Sequence, residues 1–86
     1  MPKITIKRAT IPSSKIEEWR IVDHSQDVPA RITAGINGGY CGLWNASVGY
    51  ADDAGKWQTP RARVVDTWTE PTGHGAEQTR LAIIEW

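Results

Sequence analysis

Arg31-Ile32-Thr33-Ala34-Gly35-Ile36, then Asn37-Gly38-Gly39, then Tyr40-Cys41-Gly42-Leu43-Trp44-Asn45-Ala46-Ser47-Val48-Gly49-Tyr50 is the stretch whose reading decides the fold. Asn-Gly between two apolar runs favours a hairpin, because both residues tolerate the positive φ of a twist-matched turn, so the sequence predicts a turn at Asn37-Gly38-Gly39. In the second arm Tyr40, Gly42, Trp44, Ala46, Val48 and Tyr50 share one face of an extended strand, and Cys41, Leu43, Asn45, Ser47 and Gly49 share the other. An apolar aromatic face backed by a small, mostly polar one describes an antiparallel strand with one side on the core. A slip of one residue would turn Trp44 into water, so this strand fixes the register of whatever pairs with it.

The pattern extends outward in both directions. Lys3–Thr10 alternates, with Ile4 and Ile6 on one face, and Pro12-Ser13-Ser14 ends it. Residues 14–23 carry two signals. Ser14-Lys15-Ile16-Glu17 has the form of a capping box and allows one short helix, whereas Trp19, Ile21 and Val22 suit a strand that folds back onto Lys3–Thr10; the strand is the favoured reading. His24–Pro29 is a polar connection, and Asp52-Asp53-Ala54-Gly55 is a second turn with Gly55 placed for positive φ. Lys56–Trp68 is a long strand with a defect at Pro60, its second half, with Ala62, Val64, Val65 and Trp68, being the better paired. Thr69–Gly75 is a loop. In Glu77–Trp86 the run Leu81-Ala82-Ile83-Ile84 is apolar on both faces, as expected of a central strand. Strands recurring every ten residues or so predict a single all-β domain over residues 1–86: a small antiparallel meander, either a rolled sheet or an open barrel of about five or six strands.

Composition narrows the function classes. The chain has 86 residues, and one this short buries only about 60–65% of its unfolded surface, so a partner, including a second copy of itself, would add stability. Ten basic residues balance ten acidic ones, and no global charge draws the protein to nucleic acid or an anionic membrane. A single cysteine excludes a disulfide framework and a thiolate zinc site. With no apolar leader and no run long enough to span a bilayer, the expected compartment is cytoplasmic, with no membrane contact.

Chemistry-bearing residues are scattered. His24 and His74 fall in expected loops without a second His or Cys at ligand spacing, so no metal is expected. Cys41 has no basic neighbour to lower its pKa and reads as a buried structural thiol. Asp52, Asp53, Asp66 and Glu70 lack the alternation of a calcium loop. No serine sits in a nucleophile elbow and no glycine-rich loop precedes a helix, so neither catalysis nor a cofactor is expected, and a small enzyme ranks last among the function classes.

What stands out is five Trp and two Tyr without any Phe. Trp44, in mid-strand, belongs to the core. Trp57, beside the Asp-Asp-Ala-Gly turn and three residues before Pro60, is expected to stay accessible, flanked by Tyr50, Lys56, Arg61 and Arg63. Trp, Tyr and Arg dominate protein interface hot spots, so the sequence points to a non-enzymatic domain that binds another protein, as an inhibitor, an adaptor or a small viral assembly component would. The alternative is a single-stranded nucleic-acid binder using Trp57 and Tyr50 as a stacking platform with Arg61, Arg63, Lys3, Lys7, Arg8 and Lys15 as phosphate contacts.

Overall fold

Alternation of apolar and polar residues produces strands and nothing else. The computed structural model describes residues 2–11, 16–38, 44–71, 73, 75 and 78–86, without the side chains of residues 9–11, 16–18 and 38. It forms β1 (Lys3–Ile11), β2 (Ile16–His24), β3 (Ile32–Gly38), β4 (Trp44–Ala51), β5 (Trp57–Gln58), β6 (Arg63–Pro71) and β7 (Gln78–Glu85), and no helix among the described residues. The protein is therefore all-β, with more strands than the sequence suggested because the Lys56–Trp68 segment divides at residues 59–62 into β5 and β6. Among the described residues no helix is long and apolar enough to cross a membrane.

The short helix near residues 14–23 does not form over the described part of that segment, which is β2. Without β2, the outer edge of β1 would carry unpaired backbone groups, and antiparallel pairing from Ile4↔His24 to Ile11↔Ile16 satisfies them. A capping box contributes far less than that ladder. His24 is accordingly the last residue of a strand rather than part of a loop.

The central hairpin pairs Ile32↔Tyr50 through Gly38↔Trp44, which corrects the expected turn. Asn37 and Gly38 lie inside the ladder, and the connection, residues 39–43, falls outside the described residues together with Tyr40 and Cys41. A tight turn at Asn37-Gly38-Gly39 would pair Ile36 with Tyr40 and leave Val48 and Tyr50 beyond the start of β3. The observed register sets Ala34 opposite Val48 and Ile36 opposite Ala46, so burial of the apolar face outweighs the local turn preference.

Hydrogen bonding gives two antiparallel sheets, β2-β1-β7-β6 and β3-β4-β5. Consecutive strands pair within each sheet and β7 pairs with β1, so the chain is an up-and-down meander rolled into an open barrel. The two sheets meet where β2 passes β3 and where β6 passes β4, without a hydrogen-bonded ladder at either seam. Ile4, Ile6, Ala82 and Ile84 from the larger sheet meet Ile36 and Val48 from the smaller one, with Trp19, Ile21, Trp44, Tyr50, Val64 and Trp86 packed around them.

Two irregularities keep this pattern in phase. β2 and β6 each carry a bulge, between the pairs of Thr5 and Ile6 and between Val64 and Asp66. The extra residues, Val22 and Val65, are turned out to 52% and 46% exposure. Past its bulge β6 places Thr67 opposite the buried Ala82 and swings Asp66 and Trp68 outward; an unbroken strand would have buried Asp66.

One end of the barrel is filled by arginines. Arg8 and Arg80 continue the inward rows of Ile4–Ile6 and Ala82–Ile84, and their guanidinium groups lie 5.8 Å from the Trp19 ring centroid and 4.8 Å from that of Trp44. Arg80 also donates to Thr67 Oγ1 at 3.1 Å.

On the outer face, Glu85 is 6% exposed and lies between Lys3 (3.8 Å) and Arg63, whose Nε donates to it at 2.8 Å. The Arg63 hydrogen bonds hold the Glu85 carboxyl below its ordinary 4.5. A carboxylate with a lowered folded pKa stabilises the protein above its unfolded pKa and loses that contribution as pH falls through the folded one. Glu85→Gln should therefore lower the melting temperature at pH 7 and flatten its decline below about pH 4.5; a wild-type acid profile retained in the variant would place the titration elsewhere. Trp44→Ala should cost about 3–5 kcal/mol by urea melt, because it empties the core side of β4 and removes the surface under Arg80.

Candidate functional site

Trp57 owes its position to the turn that precedes it. Asp52 Oδ1 accepts from the backbone N–H of Ala54 (3.0 Å) and of Lys56 (2.8 Å), and Oδ2 from the Gln58 amide (2.9 Å). The Gln58 contact, followed by the Lys56 and Ala54 amides, lowers the Asp52 pKa. Gly55 takes φ +80° and donates to Asp52 O at 2.9 Å, the positive-φ role the sequence assigns it. The turn returns β5 beside β4, with Trp57 opposite Ala51.

Pairing with Ala51 puts Trp57 on the small, polar face of β4. Its indole is 53% exposed yet lies against Gly49: a Cβ added there would sit 2.9 Å from Cε2 and 3.1 Å from Nε1. Glycine in a strand interior marks a close approach, here by a ring over main chain. In β3, Gly35 is covered in a similar way from β2, with Cδ1 of Trp19 3.4 Å from where its Cβ would be.

Beside Trp57 opens a shallow groove of about 360 Å³, lined by Thr33, Ala34, Gly35, Ser47, Val48, Gly49, Trp57 and Thr59. None of these side chains ionises. Thr33 Oγ1 donates to Gly49 O at 3.4 Å and Ser47 Oγ to Gly35 O at 3.5 Å, both at the weak limit of hydrogen bonding. Among the described residues, Trp57 Nε1 and the Thr59 hydroxyl have no hydrogen-bond partner.

Of the residues that sequence reasoning grouped with Trp57, Tyr50 and Arg63 are engaged elsewhere. Tyr50, one position off in parity, points inward, 6.3 Å from Trp86, and borders a second groove of about 350 Å³ with Asp27, Asp52 and Asp53. Asp27 accepts from Ser25 Oγ, which lowers its pKa. Lys56 is exposed on the turn and Arg61 on the connection between β5 and β6. Arg63 opens β6 and pairs with Glu85. Of the N-terminal cations, Lys3 and Lys7 point outward and Arg8 inward, while Lys15 and His74 lie outside the described residues. No group of three His, Cys, Asp or Glu could hold a metal among the described residues.

Sequence reasoning missed the groove floor. Its signal was the alternation Asn45, Ser47, Gly49 on the small face of β4, which marks a surface open to close approach. No family model, curated protein or solved structure matches this chain.

Gly49→Ala should force the Trp57 ring off the sheet. Its fluorescence should shift to the red while the melting temperature drops by no more than a few degrees, since a ring tip yields more cheaply than a core. An unchanged emission spectrum would refute the contact.

Proposed function

We propose that this domain is a non-enzymatic binding module that takes a segment of another protein on the outer face of the β3-β4-β5 sheet, with Trp57 as its anchor. The observation that carries this reading is the half-exposed Trp57 indole, held against Gly49 at the edge of an uncharged groove. A large ring immobilised before binding loses little entropy on association, and buried Trp anchors commonly dominate interface energetics.

The single-stranded nucleic-acid alternative has less support. Phosphate recognition needs cations beside the stacking surface; Lys56 and Arg61 are exposed, but Arg63 is engaged by Glu85, Arg8 and Arg80 lie over Trp19 and Trp44, and the groove lining is uncharged.

The test is selection of a displayed random-peptide library on the wild-type domain, with Trp57→Ala for counter-selection. Peptides dependent on Trp57 are expected, losing about 2 kcal/mol or more of affinity in the variant while its melt stays near wild type. Binders that ignore the substitution, or a variant that melts as early as Trp44→Ala, would move the site elsewhere.

A further inference from the structure

We infer that two copies of this chain pair face to face through the outer side of the β2-β1-β7-β6 sheet, with their strands antiparallel across the contact. β7 is apolar on both faces, the pattern of a strand covered from two sides, yet the smaller sheet covers only its inner side. Leu81 and Ile83 project outward from it, Leu81 sheltered to 7% exposure by its neighbours and Ile83 half-buried. Val22 and Val65, two of the three large apolar side chains left most exposed among the described residues, stand at the two edges of the same sheet.

The order of charges selects a second copy as the occupant. In one cross-strand row Asp23 and Asp66 flank Ile83, and in the next Arg20 and Lys7 stand beside Leu81. Beyond the first row lies Arg63, and beyond the second Glu70, so the sign alternates along the strands. A two-fold axis lying across the strands, between the Ile83 and Leu81 rows, sets each row against one of opposite sign. Asp23 then meets Arg20 of the second copy with Lys7 beside it, Arg63 meets Glu70, and Ile83 meets Leu81. An axis parallel to the strands would instead lay β2 on β6 and Asp23 on Asp66, which repulsion disfavours. Lys7, Asp23, Asp66 and Glu70 are exposed and make no ion pair among the described residues, so their charges are open to a partner. The chain's zero net charge leaves no overall repulsion between copies. A face four strands wide and about 20 Å long, with strands about 4.8 Å apart, buries on the order of 1,000 Å² between two copies once side-chain relief is counted, the area of a weak, reversible dimer.

Sedimentation equilibrium of the full chain should show monomer and dimer exchanging with a Kd between about 1 µM and 1 mM. Asp23→Lys and Arg20→Glu should each weaken the dimer at least about tenfold, because each sets like charges opposite one another twice. An equimolar mixture of the two variants should regain dimerisation near the wild-type level, since every altered charge then finds its opposite; variants that merely misfolded could not restore one another. Ile83→Glu should leave a monomer that still melts cooperatively. A chain that stays monomeric to about 1 mM, a dimer indifferent to both charge variants, or a mixture that restores nothing would overturn the proposal. So would a dimer lost on Trp57→Ala alone, which would place the contact on the other sheet.

Discussion

Pairing of β1 with β7 is the constraint on which the rest of the structure depends. It joins residues near the two ends of the sequence, Lys3↔Glu85 to Lys7↔Leu81, and unites the β1-β2 and β6-β7 hairpins in one four-stranded sheet against which β3-β4-β5 packs. Ile4 and Ile84, cross-strand partners on the inner face, are almost completely buried, and the Trp86 N–H donates to Pro2 O at 3.2 Å just past the end of the ladder. Most of the entropy of closing a chain of this length is lost before these contacts form, so folding should be slow for a domain of its size.

Closing the barrel gives it an inside and an outside with different chemistry. A small β-barrel needs side chains to fill its lumen, and here aliphatic residues fill the middle while Arg8 and Arg80 over Trp19 and Trp44 fill one end. Guanidinium groups are weakly hydrated and stack on indole faces, which lets a cation occupy a position where lysine would be costly. The same arrangement withdraws two of the chain's cations from any outward-facing basic surface.

The binding surface we propose lies on the face the core does not use. The β3-β4-β5 sheet turns glycines and hydroxyls outward, and the Asp52 turn brings one tryptophan back over them. Rigidity comes from hydrogen bonds of the turn and from contact with Gly49, so the exposed ring is supported from beneath rather than left to sample solvent.

How much of this was legible in the residues follows from the range of each interaction. Strand identity, the inward face of β4, the Gly55 turn and the accessibility of Trp57 rest on alternation and local turn chemistry, which neighbours in sequence specify; Arg8 inside the barrel could have been read from its parity with Ile4 and Ile6. The hairpin register, the bulges at Val22 and Val65, the pairing of Arg63 with Glu85 and the parting of Tyr50 from Trp57 were decided by tertiary structure. Each depends on which strand lies alongside, and a one-residue offset across a ladder reverses the face of every side chain beyond it. The sequence by itself determined an all-β meander with one exposed tryptophan; only the closure of β1 on β7 and the register it imposes decided which residues stand beside that ring, because strand pairing is a contact between distant segments that no local pattern encodes.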